Sequence, residues 1–512
     1  MRANKRMILL GLLISVLASG RTPVTAYAEP EEEVSVPLGV TWEMTEASYW
    51  KELAYEPDKL LMTKEEIAAL NQDIVLGKGT GVVDLNNVKT TLNLSFERFN
   101  RNLYVNGNLI NEEEYIQKFE AGKGNLTELL YAVAVKRADI KAWPTNEVIG
   151  YSAADPDDEI QIYALNVNEP AVIRAVCTVE NEVFYYCQTK TCAGWICGEN
   201  LAFFDSKEEW HEAWEYDIND TDILVVTGNK ITLEQSIRTA VSDVQLMQGT
   251  VLKLVPKEEV PKNIGERGNW YNYVVYMPTR DENGNYAREY GLISKRCDVS
   301  VGFLDLTQEN LLDVAFACLG DRYGWGAMLG ANDCSAYTRA IYKCFGMELP
   351  RNTTQQQKVP GRVTDLTGMT DEEKQEFLET LPVGSLLYFP GHTMVYTGSK
   401  DEVGYSISAV GSLVESEGEI EVLSIYSVAL NPLTVRRKSG MTWLNQTTSV
   451  LTFGEIETSI VYKVKEGDCL FSIARETLGD PLLWERIYEA NKDLIKNAGK
   501  IYVGQELIIP LR

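Results

Sequence analysis

The sequence predicts a multidomain α+β protein, on three observations. At 512 residues the chain is too long for a single hydrophobic core, so about three to five domains are expected. Its texture passes from apolar residues at helical spacing, through short alternating runs, to a stretch that reads helix first and strand later. The last segment, from VYKVKEGDCLFSIA to VGQELIIP, reads strand, helix, helix, strand and forms a module of its own.

Residues 1–28 read as a signal peptide. Arg2, Lys5 and Arg6 precede an apolar run from Met7 to Ala18, and Ala26-Tyr27-Ala28 offers a cut after Ala28. That run is too short to span a bilayer comfortably, so no stable transmembrane anchor is expected, and the protein is expected to be secreted. Residues 29–136 read as a helical region, in which KEEIAALNQDIV and NEEEYIQKFEAG each pair an acidic first turn with helical apolar spacing. Two small antiparallel barrels are the simplest parse of residues 137–303. The first covers 137–205, with AVIRAVCTV, VFYYCQT and AGWICGENLAFF; the second covers 206–303, with ILVVTG, VLKLVP, WYNYVVYMP and YGLISKRCDV. Residues 304–455 begin with QENLLDVAFACLG and a second helix after Cys334, then continue as the strands SLLYFPG, HTMVYTG and YSISAVG. That order predicts helices packed on an antiparallel sheet. Residues 459–512 are the terminal module.

The net charge is -26, and about -30 once the signal and its Arg2, Lys5, Arg6 and Arg21 are removed. Such a surface excludes nucleic acid as a natural partner and leaves attachment to an anionic wall polymer dependent on specific recognition. The nine cysteines leave at least one unpaired. Cys177, Cys187, Cys192 and Cys197 cluster without a CxxC pair or a nearby histidine, which argues against zinc and leaves a disulfide or buried thiols open. Cys318 and Cys344 fall on apolar helix faces. Calcium, zinc and nucleotide motifs are absent, so no metal and no cofactor is expected.

Cys334 stands apart. Downstream of it Tyr337, Ala340, Ile341, Cys344 and Phe345 recur at the spacing of one buried helix face, which places Cys334 at a helix N-terminus. The unpaired N–H groups and the dipole there favour an anion and are expected to lower the thiol pKa. A partner base is almost forced, because the chain has two histidines and His211, in EEWHEAWEYD, reads as a half-exposed surface residue. The other, His392, opens the strand HTMVY, from whose end an imidazole can take the thiol proton and later protonate a leaving amine. On the next strand the inward polar candidate to orient it is Ser408. The glycines around Trp325 allow a close backbone approach and a cleft.

Tyr323-Gly324-Trp325-Gly326, Asp333-Cys334-Ser335, Leu349-Pro350-Arg351, Gly384 to Phe389 and Gly391-His392 together resemble the ordered motifs of NlpC-type cysteine peptidases, papain-like enzymes that cut peptidoglycan stem peptides. The resemblance spans about 150 residues. It implies that Cys334 is the nucleophile and His392 the base, with Tyr323 and the Cys334 backbone N–H holding the oxyanion. It places Asp333, Ser335, Trp325, Arg351 and Asn352 in the substrate cleft and Ser408 in the third catalytic position, where relatives carry His, Asn or Gln. Ala327 and Asn352 are smaller departures, from a common glycine and a common aspartate.

KAWPT and AGWICGENLAFF resemble the ends of the first of two bacterial SH3-like barrels that precede the catalytic domain in a subset of these enzymes, the γ-D-glutamyl-L-diamino acid endopeptidases of dipeptidyl-peptidase VI type. There the first barrel roofs the site and reads the free amine of an N-terminal L-Ala; Glu159, Tyr185 and Tyr186 are candidates for that task here. The terminal module resembles a lysin-motif (LysM) domain, which binds N-acetylglucosamine-containing glycan through the loop at Gly467, Asp468, Cys469 and Leu470 and the segment at Ile501 and Tyr502. Leu470, Ile473, Trp484 and Ile508 read as its core. The function expected is a secreted, wall-associated endopeptidase acting on the γ-D-glutamyl-diamino acid bond. The alternatives are a catalytically impaired wall-binding scaffold and an amidase or acyltransferase with the same Cys-His chemistry.

Overall fold

The computed structural model describes residues 36–90, 92–239, 241–415, 422–454, 459–478 and 480–510. The signal-peptide reading lies outside the described residues. None of the described helices is long and apolar enough to cross a membrane.

The N-terminal region is less helical than expected. Its helix Lys64–Leu76 starts at a capping box, in which Thr63 and Glu66 satisfy each other's backbone N–H, and it buries Ile67, Leu70 and Ile74 on one face. Helix Ala47–Leu53 docks Trp50 against the catalytic sheet, with the indole 5.1 Å from the Tyr405 ring and its Nε1 donating to Met44 O at 2.7 Å. Helix Glu112–Gly122 ends where a strand begins. That strand, Lys123–Ala134, pairs with Pro170–Val179 and with Leu201–Phe204, so the first β-unit starts well before residue 137. Leucines, alanines and a glutamate in LTELLYAVA disguise it as helix; pairing on both edges decides the matter.

In the first unit the strands run in the order Leu201–Phe204, Lys123–Ala134, Pro170–Val179, Glu182–Gln188, Ala193–Cys197, Ala138–Lys141, Gln161–Leu165, a seven-stranded antiparallel sheet whose Leu201–Phe204 edge takes a bridge from Asn285. The second unit is a three-stranded sheet of Val251–Lys253, Ile223–Val226 and Val299–Val301, with separate hairpins such as Asn272–Arg280 with Tyr286–Ser294. Two small antiparallel barrels are expected from the sequence; among the described residues neither unit closes into a barrel by hydrogen bonding. The first unit is packed on its outside by Phe96, Phe119, Trp143 and Trp195 from both the N-terminal segment and the sheet.

The catalytic unit is α+β as expected. Its six-stranded sheet runs Val363–Asp365, Ser449–Leu451, Leu386–Phe389, His392–Lys400, Val403–Leu413, Leu423–Pro432, and helix Cys334–Lys343 packs on the two strands that begin at His392 and Val403. In the terminal unit Ser459–Lys463 pairs with Glu506–Pro510, and helices Leu470–Leu478 and Trp484–Ala490 lie between them in sequence. Its core holds Leu470, Ile473, Leu507 and Ile509. Ile508, expected inside, is 45% exposed because the strand alternation turns its two neighbours inward instead.

Trp143 is fully buried, donates Nε1 to Glu97 O at 2.9 Å and stacks on Tyr115, so it ties the N-terminal segment to the first β-unit. Trp143→Ala is expected to cost about 3–5 kcal/mol in urea unfolding; a loss under about 1 kcal/mol would show that this seam contributes little.

Candidate active site

Cys334 begins the helix Cys334–Lys343, and Asp333 is its N-cap, accepting from the Ala336 N–H at 2.8 Å. The Asp333 carboxylate is held from the other side by Arg351, at 2.6 Å from Nη2 and 3.2 Å from Nη1, and Ser335 Oγ donates to it at 3.1 Å. Arg351 also donates Nη1 to Ser335 Oγ at 3.0 Å and Nε to Ile162 O at 3.0 Å, and lies over the Tyr163 ring at 4.9 Å. Burial opposes charge on Asp333, but the guanidinium more than offsets it and keeps the carboxyl below its ordinary range. Three residues assigned to the substrate cleft, Asp333, Ser335 and Arg351, are thus committed to one buried network beside Cys334. Asn352 is committed too, capping the short helix Thr353–Gln356 in a box with Gln355. Trp325, 41% exposed, is free to meet a ligand.

His392 follows the turn Pro390-Gly391, with Gly391 at φ +85°, and pairs with Phe389 across it. Proline followed by a glycine at positive φ is the type II combination, which explains why the strand starts at the histidine. Its imidazole sits between the Phe389 and Trp443 rings, at 5.1 and 5.0 Å, and Nε2 lies 3.1 Å from Ser408 Oγ. The register Val395↔Ile407 puts His392 and Ser408 on one face. A proton on Nε2 shared with this hydroxyl leaves Nδ1 as the basic nitrogen.

Cys334 is 9% exposed. Its Sγ is 3.9 Å from Thr353 Oγ1 and accepts from the backbone N–H of Thr393, the neighbour of His392. Burial, followed by the Asp333 carboxylate, pushes the thiol up to about 11, and the Thr393 N–H and Thr353 hydroxyl offset this only in part. Desolvation and the acid that caps the same helix thus oppose the lowering expected from the helix N-terminus. Burial, followed by the Arg437 charge, lowers His392 to about 3. Thiol and imidazole are both neutral near pH 7.

Tyr323 reaches this point through an unusual loop. Its N–H donates to Tyr426 O at 2.8 Å, its ring meets that of Tyr426 edge to face at 5.8 Å, and Gly324 N donates to Asn332 O at 3.1 Å. Tyr426 holds φ +45°, a position few aromatic residues adopt. Burial, then Asp333 and Cys334, keep the Tyr323 hydroxyl protonated well above its ordinary range. Asp157 acts on Tyr323, and Asp155, Asp157 and Glu159 act on Tyr426, so this acidic segment of the first β-unit borders the site. Burial, then Asp155 and Asp157, raise Glu159 to about 7. Tyr185 and Tyr186 do not join it; they pack on Phe203 and Trp195. Thr353, Thr393 and Tyr426 were not foreseen. Thr353, two residues past Pro350-Arg351, carried the only local signal.

His211 packs between Trp210 and Trp214 and pairs with Glu215 at 3.0 Å, away from these residues. The nine cysteines are all free, so the Cys177 cluster is not bridged. Among the described residues no group of three or more His, Cys, Asp or Glu could hold a metal. In the terminal unit Gly467 stands at φ +89°, Asp468 accepts from Lys465 N at 2.7 Å and shapes the loop, and Cys469 and Tyr502 are exposed. Leu470 is buried as the core reading expects, and Ile501 is half-buried against the same core.

Cys334 stands at a helix start, His392 at a strand start and Ser408 on the next strand; the hydroxyl meets the imidazole, while the thiol meets Thr353 and the Thr393 N–H and makes no hydrogen bond to His392. The chain carries an NlpC/P60 domain, matched over residues 320–425, and a LysM domain, matched over 462–510. The NlpC/P60 family is one of cysteine peptidases. An NlpC/P60 endopeptidase from Photobacterium damselae subsp. piscicida shares the fold, with TM-score 0.61 at 16% identity, over 83% of this chain and 99% of that one. Potassium binding protein Kbp of Escherichia coli O6:H1 is 47% identical over 49 residues, 10% of this chain and 33% of that protein. Resuscitation-promoting factor Rpf of Micrococcus luteus is 47% identical over 47 residues, 9% of this chain and 21% of that protein. The chain spans a third or less of these two curated relatives.

Carboxamidomethylation of Cys334, tracked peptide by peptide, is expected to accelerate about tenfold per pH unit from pH 7 to 9 without levelling. A rate already level below pH 8 would reveal a preformed thiolate.

Proposed function

We propose that the protein is a secreted, wall-associated cysteine endopeptidase that hydrolyses the γ-D-glutamyl-diamino acid bond of peptidoglycan stem peptides, held to N-acetylglucosamine-containing glycan by its LysM domain. The observation that carries this reading is the Ser408-oriented imidazole of His392, beside the Thr393 N–H that contacts Cys334 Sγ. In this scheme Cys334 Sγ attacks the γ-carbonyl carbon as its proton passes to His392 Nδ1. Attack and transfer are coupled, because no thiolate stands ready. The Cys334 backbone N–H and the Tyr323 hydroxyl meet the oxyanion. The C–N bond breaks as Nδ1 protonates the leaving amine, and water then hydrolyses the thioester. Ser408 holds the imidazolium less strongly than a carboxylate would.

The acidic segment Asp155, Asp157 and Glu159 supports recognition of a free L-Ala amine, since a carboxylate beside the site pairs with an ammonium. Glu159 gains its charge as pH rises through about 7, so kcat/KM for amine-bearing peptides is expected to rise across pH 6–8. That rise should flatten in Glu159→Gln.

Wild type is expected to cleave L-Ala-γ-D-Glu-diamino acid peptides and to leave intact sacculi uncut, with Cys334→Ala slower by more than about a thousandfold. Ser408, a hydroxyl in the third catalytic position, favours a second reading, a wall-binding protein with a decayed catalytic domain. Equal product from wild type and Cys334→Ala would sink the first reading and leave the second.

A further inference from the structure

We infer that Arg137 of the first β-unit is a positioning residue for this site: its guanidinium latches the loop that joins Tyr323 to Cys334. The loop Trp325–Gly330 turns through positive φ at Gly326 (+58°), Ala327 (+65°), Leu329 (+56°) and Gly330 (+64°). Ala327 and Leu329 are L-residues in a conformation that persists only where its surroundings enforce it. Arg137 is what enforces it. Nη2 donates to Ala327 O at 2.9 Å and to Ala331 O at 2.8 Å, while Nη1 donates to Asn166 Oδ1 at 2.9 Å, which anchors the fork on the β-unit. A planar guanidinium can reach three acceptors on two elements at once, which an ammonium cannot do with the same geometry.

The anchor continues past the loop. Asn166 N donates to Glu169 Oε2 at 2.9 Å, and Glu169 pairs with Lys343, the last residue of the helix that Cys334 begins. Arg137, Asn166, Glu169 and Lys343 therefore brace the nucleophile helix at both ends from one β-unit. Gly326 seats the loop on the same unit, since a Cβ there would lie 2.5 Å from Gln161 O. Because Ala331 lies three residues before Cys334 and Gly324 bonds to Asn332, releasing the two carbonyls shifts the nucleophile and the oxyanion donor relative to each other.

The inference rests on the endopeptidase reading, and its test separates the two. Arg137→Ala, Arg137→Lys and Asn166→Ala are compared with the exposed neighbour control Lys136→Ala, by steady-state cleavage of stem peptides and by peptide-resolved iodoacetamide labelling. Arg137→Ala is expected to lower kcat about tenfold to a hundredfold while KM moves by less than about threefold. Arg137→Lys should recover part of the loss, Asn166→Ala should show a smaller loss, and Lys136→Ala should match wild type. Labelling of Cys334 should change at least about fivefold, with Cys318 and Cys344 still protected. Wild-type kcat and wild-type Cys334 labelling in Arg137→Ala would overturn the inference. If wild type cleaves no stem peptide, the endopeptidase reading fails and the labelling alone decides: a change confined to Cys334 supports the latch, no change overturns it. If Arg137→Ala exposes Cys318 and Cys344, the same criteria are applied to Arg137→Lys and Asn166→Ala.

Discussion

The buried ion pair between Asp333 and Arg351 decides where Cys334 sits. One carboxylate caps the helix that Cys334 begins, anchors Ser335 and receives both arms of Arg351. The same arginine bonds Ile162 and covers Tyr163, so the first β-unit and the start of the helix share one charge network. Removing one partner of such a pair leaves an uncompensated charge and costs about 3–5 kcal/mol. The network also has a chemical consequence, because a carboxylate one residue from Cys334 opposes a second anion there.

This arrangement produces a resting site that is uncharged at the reacting atoms. Burial raises the thiol and lowers the imidazole. Under the proposed mechanism a neutral pair defers charge separation until a carbonyl is in place to receive the attack. Positioning then matters more than a standing thiolate, and the structure provides it from several directions. Ser408 orients the imidazole, Tyr426 holds the Tyr323 backbone, and Arg137 fixes the loop between Tyr323 and Cys334. The N-terminal segment closes the outer face by docking Trp50 on the catalytic sheet and its aromatic residues on the first β-unit.

Local chemistry was legible in the sequence. Asp-Cys-Ser ahead of one apolar helix face marks a capped helix with Cys334 at its first turn, and Pro-Gly ahead of His392 marks a strand that begins at the histidine. Ser408 follows from strand alternation together with the family resemblance, since Ser406 shares its face. What escaped depends on contacts between distant segments. The strand Lys123–Ala134 has the composition of a helix and is specified by its two partners. Ile508 points outward by a one-residue register choice that periodicity leaves ambiguous. The depth of Cys334, the approach of Tyr426 and the three-way grip of Arg137 have no local signature, since each needs chain separated by tens or hundreds of residues to fold back on it.

The central claim is that Cys334 carries the acyl group of a stem peptide between its attack and its release. Acid quenching during turnover of L-Ala-γ-D-Glu-diamino acid, with mass spectrometry of the digested protein, tests it directly. A thioester-linked L-Ala-D-Glu on the peptide holding Cys334, absent from Cys334→Ala, is the expected result. Continued turnover with no adduct on that peptide, or an adduct that persists in Cys334→Ala, would contradict it.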